Sequence, residues 1–258
     1  MRFDALPRAG RLVRRYKRFF AEVEAEDGER VTAHCPNTGS LLGCLAPGSP
    51  VWLRDSGDPA RKLRFTWQAV RVGASWVNVD TALPNRVVAE AVAHGGLSEL
   101  AGYAELRREV PYGRASRIDL LLEDPARARC FVEVKSSTLV EETTALFPDA
   151  PTERGRKHLA ELARVARRGE RAVQLFFVNR ADVSVFRPAD AIDPEYGRAL
   201  RRAVRAGVEV LAFAARVEPR GLELAQALEV DLAPPRKPQL AAGAARRSRA
   251  ARPVRERR

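Results

Sequence analysis

The spacing of apolar residues changes near residue 84, and the two sides of that point predict different architectures. Before it, apolar residues fall in short runs: RLVRRYKRFFAEVEA, RVTAHCP, PVWLRDS, KLRFTWQAV and SWVNVDT. These are parted by EDGE, NTGS, APGS and SGDPA. Short runs bounded by Gly, Pro, Asn and Asp signal strands, because those residues take the backbone conformations that a tight reversal needs. Five such runs predict a small closed barrel or sandwich, and an OB-like barrel fits the count.

Beyond Pro84 the period alternates. PNRVVAEAVAHGG places Val87, Val88, Ala91 and Val92 at helical spacing, with Pro84 near the start and Gly95-Gly96 as the stop. Strands are predicted at AELRREVPYG, SRIDLLLE and RCFVEVK. TERGRKHLAELARVARRG then carries a stripe of Leu159, Leu162, Ala163 and Ala166 that ends at Gly169. AVQLFFV reads as a continuous apolar strand, DPEYGRALRRAVRAG as a helix and VEVLAFAA as a strand. The order α-β-β-β-α-β-α-β implies a mixed sheet flanked by helices, and an α/β (α+β) chain as a whole. The expected division is a barrel domain at 1–83, an α/β domain at 84–232 and a basic disordered tail at 233–258.

Charge sharpens that division. The chain of 258 residues carries a formal +12. Residues 233–258 hold nine Arg/Lys against one acid, Glu256, so +8 of the charge sits there and +4 in the rest. That segment, rich in Pro, Ala and Arg, has too few large apolar side chains to bury a core, and adds non-specific affinity for polyanions. Arg outnumbers Lys 40 to 5, so a Lys marks a place where a compact ammonium is wanted rather than a planar fork. The three cysteines, Cys35, Cys44 and Cys130, lack metal-type spacing, which argues against a disulfide framework and for a reducing compartment. No apolar signal region or membrane-length run is present, so a soluble, cytoplasmic protein with no membrane partner is expected. Its oligomeric state stays open, a homodimer included.

Against this background CFVEVKSST, residues 130–138, stands out. It reads as a buried strand, yet Glu133 and Lys135 lie within it and point the same way. An unpaired buried charge is costly, so the pair needs a partner, water or a task. Asp119, in SRIDLLLE, is a second acid within an apolar strand, and EDPARAR supplies a turn between the two strands. Such a hairpin would bring Asp119 beside Glu133 and Lys135 at one end of the sheet. Two converging carboxylates repel, and Mg²⁺ (or Mn²⁺) suits such hard oxygen ligands. The ammonium would then orient or help deprotonate a metal-bound water for attack on phosphorus. The competing reading is a cross-strand salt bridge on a half-exposed face, with Asp119 capping a turn.

The D-x13-ExK spacing within an α-β-β-β-α-β segment resembles the PD-(D/E)xK nuclease superfamily. The chain is also similar to the sugar fermentation stimulation protein A family. The matching stretches are RYKRFFAEV, AHCPNTGSLLGC, PGSPVWL, RKLRFTW, YGRASRIDLLL, CFVEVKSSTL, FPDAPTERGRKHLAEL and IDPEYGRAL, in order from about Phe3 to about Phe213. That resemblance implies an N-terminal OB-like domain, a C-terminal nuclease-like domain, and DNA binding linked to regulation of sugar (maltose) metabolism genes. By the superfamily pattern Asp119, Glu133 and Lys135 would be catalytic, with Asp119 and Glu133 as metal ligands and Lys135 as the water-orienting base. A metal-dependent DNA nuclease and a catalytically silent DNA-binding regulator both satisfy it.

Other residues fit a weakly sequence-specific DNA partner. Arg154, Lys157 and His158 fall at i, i+3 and i+4 near a helix start, on the side away from the Leu159/Leu162 stripe, where they would contact a phosphate or form a solvated basic face. Lys17 and Arg18, with Tyr16 and Phe19, and Arg61 and Lys62, near Phe65 and Trp67, combine basic and aromatic character as single-strand binders do. Trp67 itself reads as core. Asn37, Thr38 and Ser40 of CPNTGS would touch a phosphate or close a turn. Cys35 reads as a small buried hydrophobe. Glu109 is a third acid with either a site or a surface role.

Overall fold

The computed structural model describes residues 1–112 and 116–234. All of the expected tail except Ala233 and Pro234 lies outside the described residues. The first strands, β1 (Arg8–Tyr16), β2 (Phe20–Ala25), β3 (Arg30–His34), β4 (Pro50–Asp55), β5 (Phe65–Val72) and β6 (Ser75–Asn78), form one sheet in the order β3-β2-β1-β4-β5-β6. A parallel bridge from His34 to Thr66 joins β3 to β5 and closes the first five strands into an OB-like barrel. Its core gathers Leu12, Val23, Val51, Leu53 and Trp67, with Cys35 and Cys44 also buried. Trp67 is fully buried and donates Nε1–H to Ala69 O.

One expectation fails at the start. RLVRRYKRFFAEVEA is not one strand but a hairpin, in which Tyr16 pairs with Phe20. Lys17 and Arg18 turn the chain at φ values of 47° and 61°, although neither is glycine. An unbroken apolar-basic alternation concealed a turn that carries no Gly, Asn or Asp.

The second domain is a three-layer α/β unit. α1 (Pro84–Ala93) leads into β7 (Glu105–Tyr112), β8 (Ser116–Glu123) and β9 (Cys130–Ser137). Short strands β10 (Leu139–Glu141) and β11 (Thr144–Phe147) precede α2 (Glu153–Ala166). Then follow β12 (Arg171–Val178), β13 (Val185–Pro188), α3 (Pro194–Arg205), β14 (Glu209–Glu218), β15 (Gly221–Ala227) and β16 (Glu229–Val230). The main sheet runs β15-β14-β12-β9-β8-β7, with β9, β12 and β14 parallel and the remaining neighbours antiparallel. Strands β10, β11, β13 and β16 make a small second sheet that the apolar pattern did not announce. α1 packs Val87 and Val88 on one face of the main sheet. α2 and α3 pack Leu159, Leu162, Tyr196 and Leu200 on the other. No helix among the described residues is long and apolar enough to cross a membrane.

Two features bind the domains. Ser40 Oγ and Leu41 N–H donate to Asp149 Oδ2 at 2.9 and 3.0 Å. Asn78 donates Nδ2–H to Asn179 Oδ1 at 2.7 Å and its backbone N–H to Asn179 O at 2.9 Å. CPNTGS therefore closes its own turn, through Asn37 Oδ1 accepting from Gly39 N at 2.8 Å, and docks on the segment that enters α2. The N-terminal residues cross the expected boundary at 83/84. Arg2 bridges to Gly221, and Phe3 N–H donates to Arg220 O, so the chain begins on the β15 edge of the main sheet.

Candidate active site

The site begins with an interruption of the β8 ladders. β7 pairs Arg108 with Leu120 and Val110 with Ile118, skipping the level of Glu109 and Asp119. On the other side the β8–β9 ladder ends at Leu120 and Val132. Glu109 takes φ 53°, a left-handed conformation costly for a side chain with a Cβ. Strict alternation would place Ile118 and Leu120 on one face. Instead Ile118 joins the core under α2 and α3, while Leu120 joins the core under α1. Asp119 sits at that change of face, and its own carboxylate replaces the missing ladder bond: Val134 N–H donates to Oδ2 at 2.7 Å. The other oxygen accepts from Asn85 Nδ2, on the first turn of α1, also at 2.7 Å.

Glu133 and Lys135 do share a face, the one toward α2. Lys135 Nζ donates to Glu133 Oε1 at 2.5 Å, and the side chain of Glu133 is only 3% exposed. His158 Nδ1 contacts the same oxygen. Arg154 Nε donates to His158 Nε2 at 3.4 Å, which leaves Nδ1 as the ring's donor toward Glu133. The second oxygen, Glu133 Oε2, is buried with no hydrogen-bond partner. Behind it Gln174, level with Glu133 on β12, donates Nε2–H to Glu133 O at 3.0 Å. Gln174 Oε1 and the Tyr112 hydroxyl are likewise buried without partners.

The electrostatics separate the two acids. Burial, reinforced by the charge of Glu133, pushes the Asp119 carboxyl up to about 6, against the opposing pull of the Val134 N–H and Lys135. Burial pushes Glu133 up too, but its bonds to His158 and Lys135 outweigh that and hold it below the usual carboxylate range. The pair thus has one acid held ionised and one poised near neutrality. Burial raises the Cys35 thiol and raises Cys44 to about 11, so neither offers a ready thiolate.

These groups open on a cleft of about 720 Å³ lined by Asp119, Glu133, Lys135, Glu109, Arg117, Arg154, Lys157, His158 and Glu161. The sequence-predicted triad therefore meets in one place, with Arg154 and Lys157 at its rim. His158 corrects an expectation. It is not on an outer basic face but buried at 6% exposure under the cleft, because helix α2 turns it toward Glu133 rather than to solvent. Lys157 is exposed and pairs with Glu153 at 2.9 Å. Glu109 lines the cleft, but no cluster of three or more His, Cys, Asp or Glu side chains arranged to hold a metal occurs among the described residues. Lys17 and Arg18, on the β1–β2 turn, and Arg61 and Lys62, in the loop before β5, are exposed on the barrel and do not line the cleft. Asn85, which donates to the Asp119 carboxylate, and Gln174, which donates to the Glu133 carbonyl, carry no sequence signal, because an amide gains a role only when the fold sets it against an acceptor.

Comparison with known proteins adds an independent line. Residues 82–221 match the family described as sugar fermentation stimulation protein RE domain, and residues 13–79 match the SfsA N-terminal OB domain. The sugar fermentation stimulation protein homolog of Geobacter sulfurreducens is 55% identical over 228 residues, covering 87% of this chain and 97% of that protein. Its counterpart in Pseudomonas paraeruginosa is 55% identical over 236 residues, covering 90% of this chain and 100% of that one. The solved structure of Pyrococcus furiosus SfsA in complex with Ca²⁺ superposes with a TM-score of 0.80 at 30% identity, covering 90% of this chain and 98% of that one.

Proposed function

The chain belongs to the sugar fermentation stimulation protein family, and on that premise we propose that it binds DNA and carries a Mg²⁺- or Mn²⁺-dependent phosphodiester-hydrolysing site at Asp119, Glu133 and Lys135. The observation that carries this reading is Glu133 Oε2, a buried carboxylate oxygen without a partner beside a second, partly buried carboxylate in a basic-rimmed cleft. An ion-pair role for Glu133 needs only Oε1, and leaving a buried acceptor unmet costs about 1–3 kcal/mol. Two carboxylates facing one cleft suit Mg²⁺, which is held by one or two carboxylates and fills its other positions with waters and substrate phosphate. The Pyrococcus furiosus relative was solved with Ca²⁺, another hard ion that takes oxygen ligands. When bound, such an ion neutralises the phosphate and acidifies the attacking water.

The chain's own residues supply the rest. Asp119 and Glu133 would hold the ion. Lys135, bonded to Glu133, would orient the water, while His158, braced by Arg154, fixes the Glu133 carboxylate. Arg154 and Lys157 at the rim receive the flanking phosphates, with DNA as the partner and the reducing cytoplasm as the compartment. The tie to sugar metabolism rests on the relatives' name. A DNA-binding regulator without turnover is the second reading. It is favoured by Lys135, whose ammonium already neutralises Glu133 from within the chain, with His158 bonded to the same oxygen.

The test measures Mg²⁺- or Mn²⁺-induced stabilisation together with cleavage of labelled DNA. Saturation at a hundred times Kd raises stability by about 2.7 kcal/mol, and Glu133→Gln removes that gain. Lys135→Ala keeps the metal response and stops cleavage. Metal response without cleavage of any DNA form selects the regulator, and no metal response rejects the metal site.

A further inference from the structure

Helices α2 and α3 each cross between neighbouring parallel strands of one sheet, so they lie side by side and run the same way. At their N-terminal ends Asp193, the cap of α3, accepts from Thr152 N at 2.8 Å and from Arg156 Nη1 at 3.1 Å. At the far ends a methyl placed on Gly207 would lie 3.5 Å from Ala166 Cβ. The groove between them, about 280 Å³, is floored by small residues such as Ala160, Ala163 and Ala203. Four arginines wall it: Arg156, Arg164, Arg167 and Arg202. Arg156 is held by Asp193 and Arg164 by Glu161. Arg167 and Arg202 are exposed and pair with no acid among the described residues. Each suits the negative C-terminal pole of its own helix. Both charges border the same groove, so an anion lying in it would meet the two together.

We infer that this groove receives the phosphates of a nucleic-acid strand running out of the Asp119–Glu133 cleft, which deepens the proposed function and rests on it. α2 is the shared wall: Arg154 and Lys157 line the cleft on one flank, and Arg156, Arg164 and Arg167 line the groove on the other, so the strand passes over the exposed face of α2. From Arg156 to Arg167 the helix axis advances about 16 Å at 1.5 Å per residue. That is several times the axial spacing of about 3.4 Å between phosphates on one strand. An alanine floor lets a sugar-phosphate backbone come close and gives no pocket for the bulky apolar anchor of a protein partner.

The experiment uses the full chain and compares Arg167→Glu/Arg202→Glu with a charge-matched control, Arg216→Glu/Arg220→Glu on the β14–β15 hairpin. Binding to labelled DNA in Ca²⁺ is followed across a salt series. The groove variant loses affinity roughly tenfold at low salt, and its log–log salt slope shrinks by about 1.8, two phosphates at about 0.9 each. Its Tm and Ca²⁺ response match the parent, the control changes far less, and Arg167→Lys/Arg202→Lys restores most of the affinity. Equal losses in both reversed variants, or none in the groove variant, overturn the inference. So does binding through Arg167 and Arg202 to phosphatidylserine vesicles but not to DNA. A lost Ca²⁺ response in the parent with the groove effect intact rejects the metal site and leaves the groove standing.

Discussion

Glu133 and Asp193 are both buried acids next to helix α2, and their partners differ in kind. Asp193 Oδ1 accepts from Tyr196 N at 2.9 Å, its Oδ2 from Thr152 N at 2.8 Å, and Arg156 spans both oxygens. Every oxygen is used, and the bonds cap α3 and tie it to the start of α2. Glu133 crowds Lys135 and His158 onto Oε1 and leaves Oε2 with nothing. A carboxylate that serves the fold is saturated by the fold. On the proposed function, the unpaired oxygen of Glu133 is the one kept for an ion.

The contrast breaks most readily at Asp193. Asp193→Ala removes a helix cap and strands the Thr152 N–H and the Arg156 guanidinium. It should lower stability by about 3 kcal/mol in urea unfolding, with the metal response of the folded fraction unchanged. Stability within 1 kcal/mol of the parent would show that saturation is no mark of a structural acid.

Next comes Asn85→Ala, which deletes the donor orienting Asp119 Oδ1. Metal affinity should drop by about 10–100-fold with little change in Tm, as for other groups that orient a ligand. Asn85→Asp, which puts a like charge there, should not rescue it. Equal metal affinity in all three proteins, by calorimetry, would remove Asn85 from the site.

The pH response is smaller and has two signs. The Asp119 carboxyl, raised to about 6 by burial and Glu133, must lose its proton to hold a cation, so metal affinity should fall about tenfold per unit as pH drops below that value. Without metal the trend reverses. The folded state binds this proton more tightly than the unfolded chain does, so Asp119 adds stability as pH falls from about 6 toward its ordinary range, and loses it as pH rises through about 6. A metal affinity flat from pH 7 to 5 would place the ligand elsewhere. The smallest effect belongs to Lys157→Ala, whose exposed pair with Glu153 should contribute about 0.5 kcal/mol or less to stability.

By itself the sequence determined the change of architecture at Pro84, the three helices, the apolar strands β9, β12 and β14, and the shared face of Glu133 and Lys135. Each of these follows from local rules: period, capping and turn residues, and the alternation that puts Glu133 and Lys135 on one side of a strand. The tertiary structure alone decided the rest. The Lys17–Arg18 reversal has no glycine to announce it, and the short strands β10, β11, β13 and β16 exist only because they pair with one another. The partners of Asp119 come from 34 and 15 residues away in the chain. His158 looked like part of a basic helix face, and only the packing of α2 on β9 turned it onto Glu133. Periodicity reports which face a residue takes, but the free oxygen of Glu133 is a property of everything that surrounds it in three dimensions.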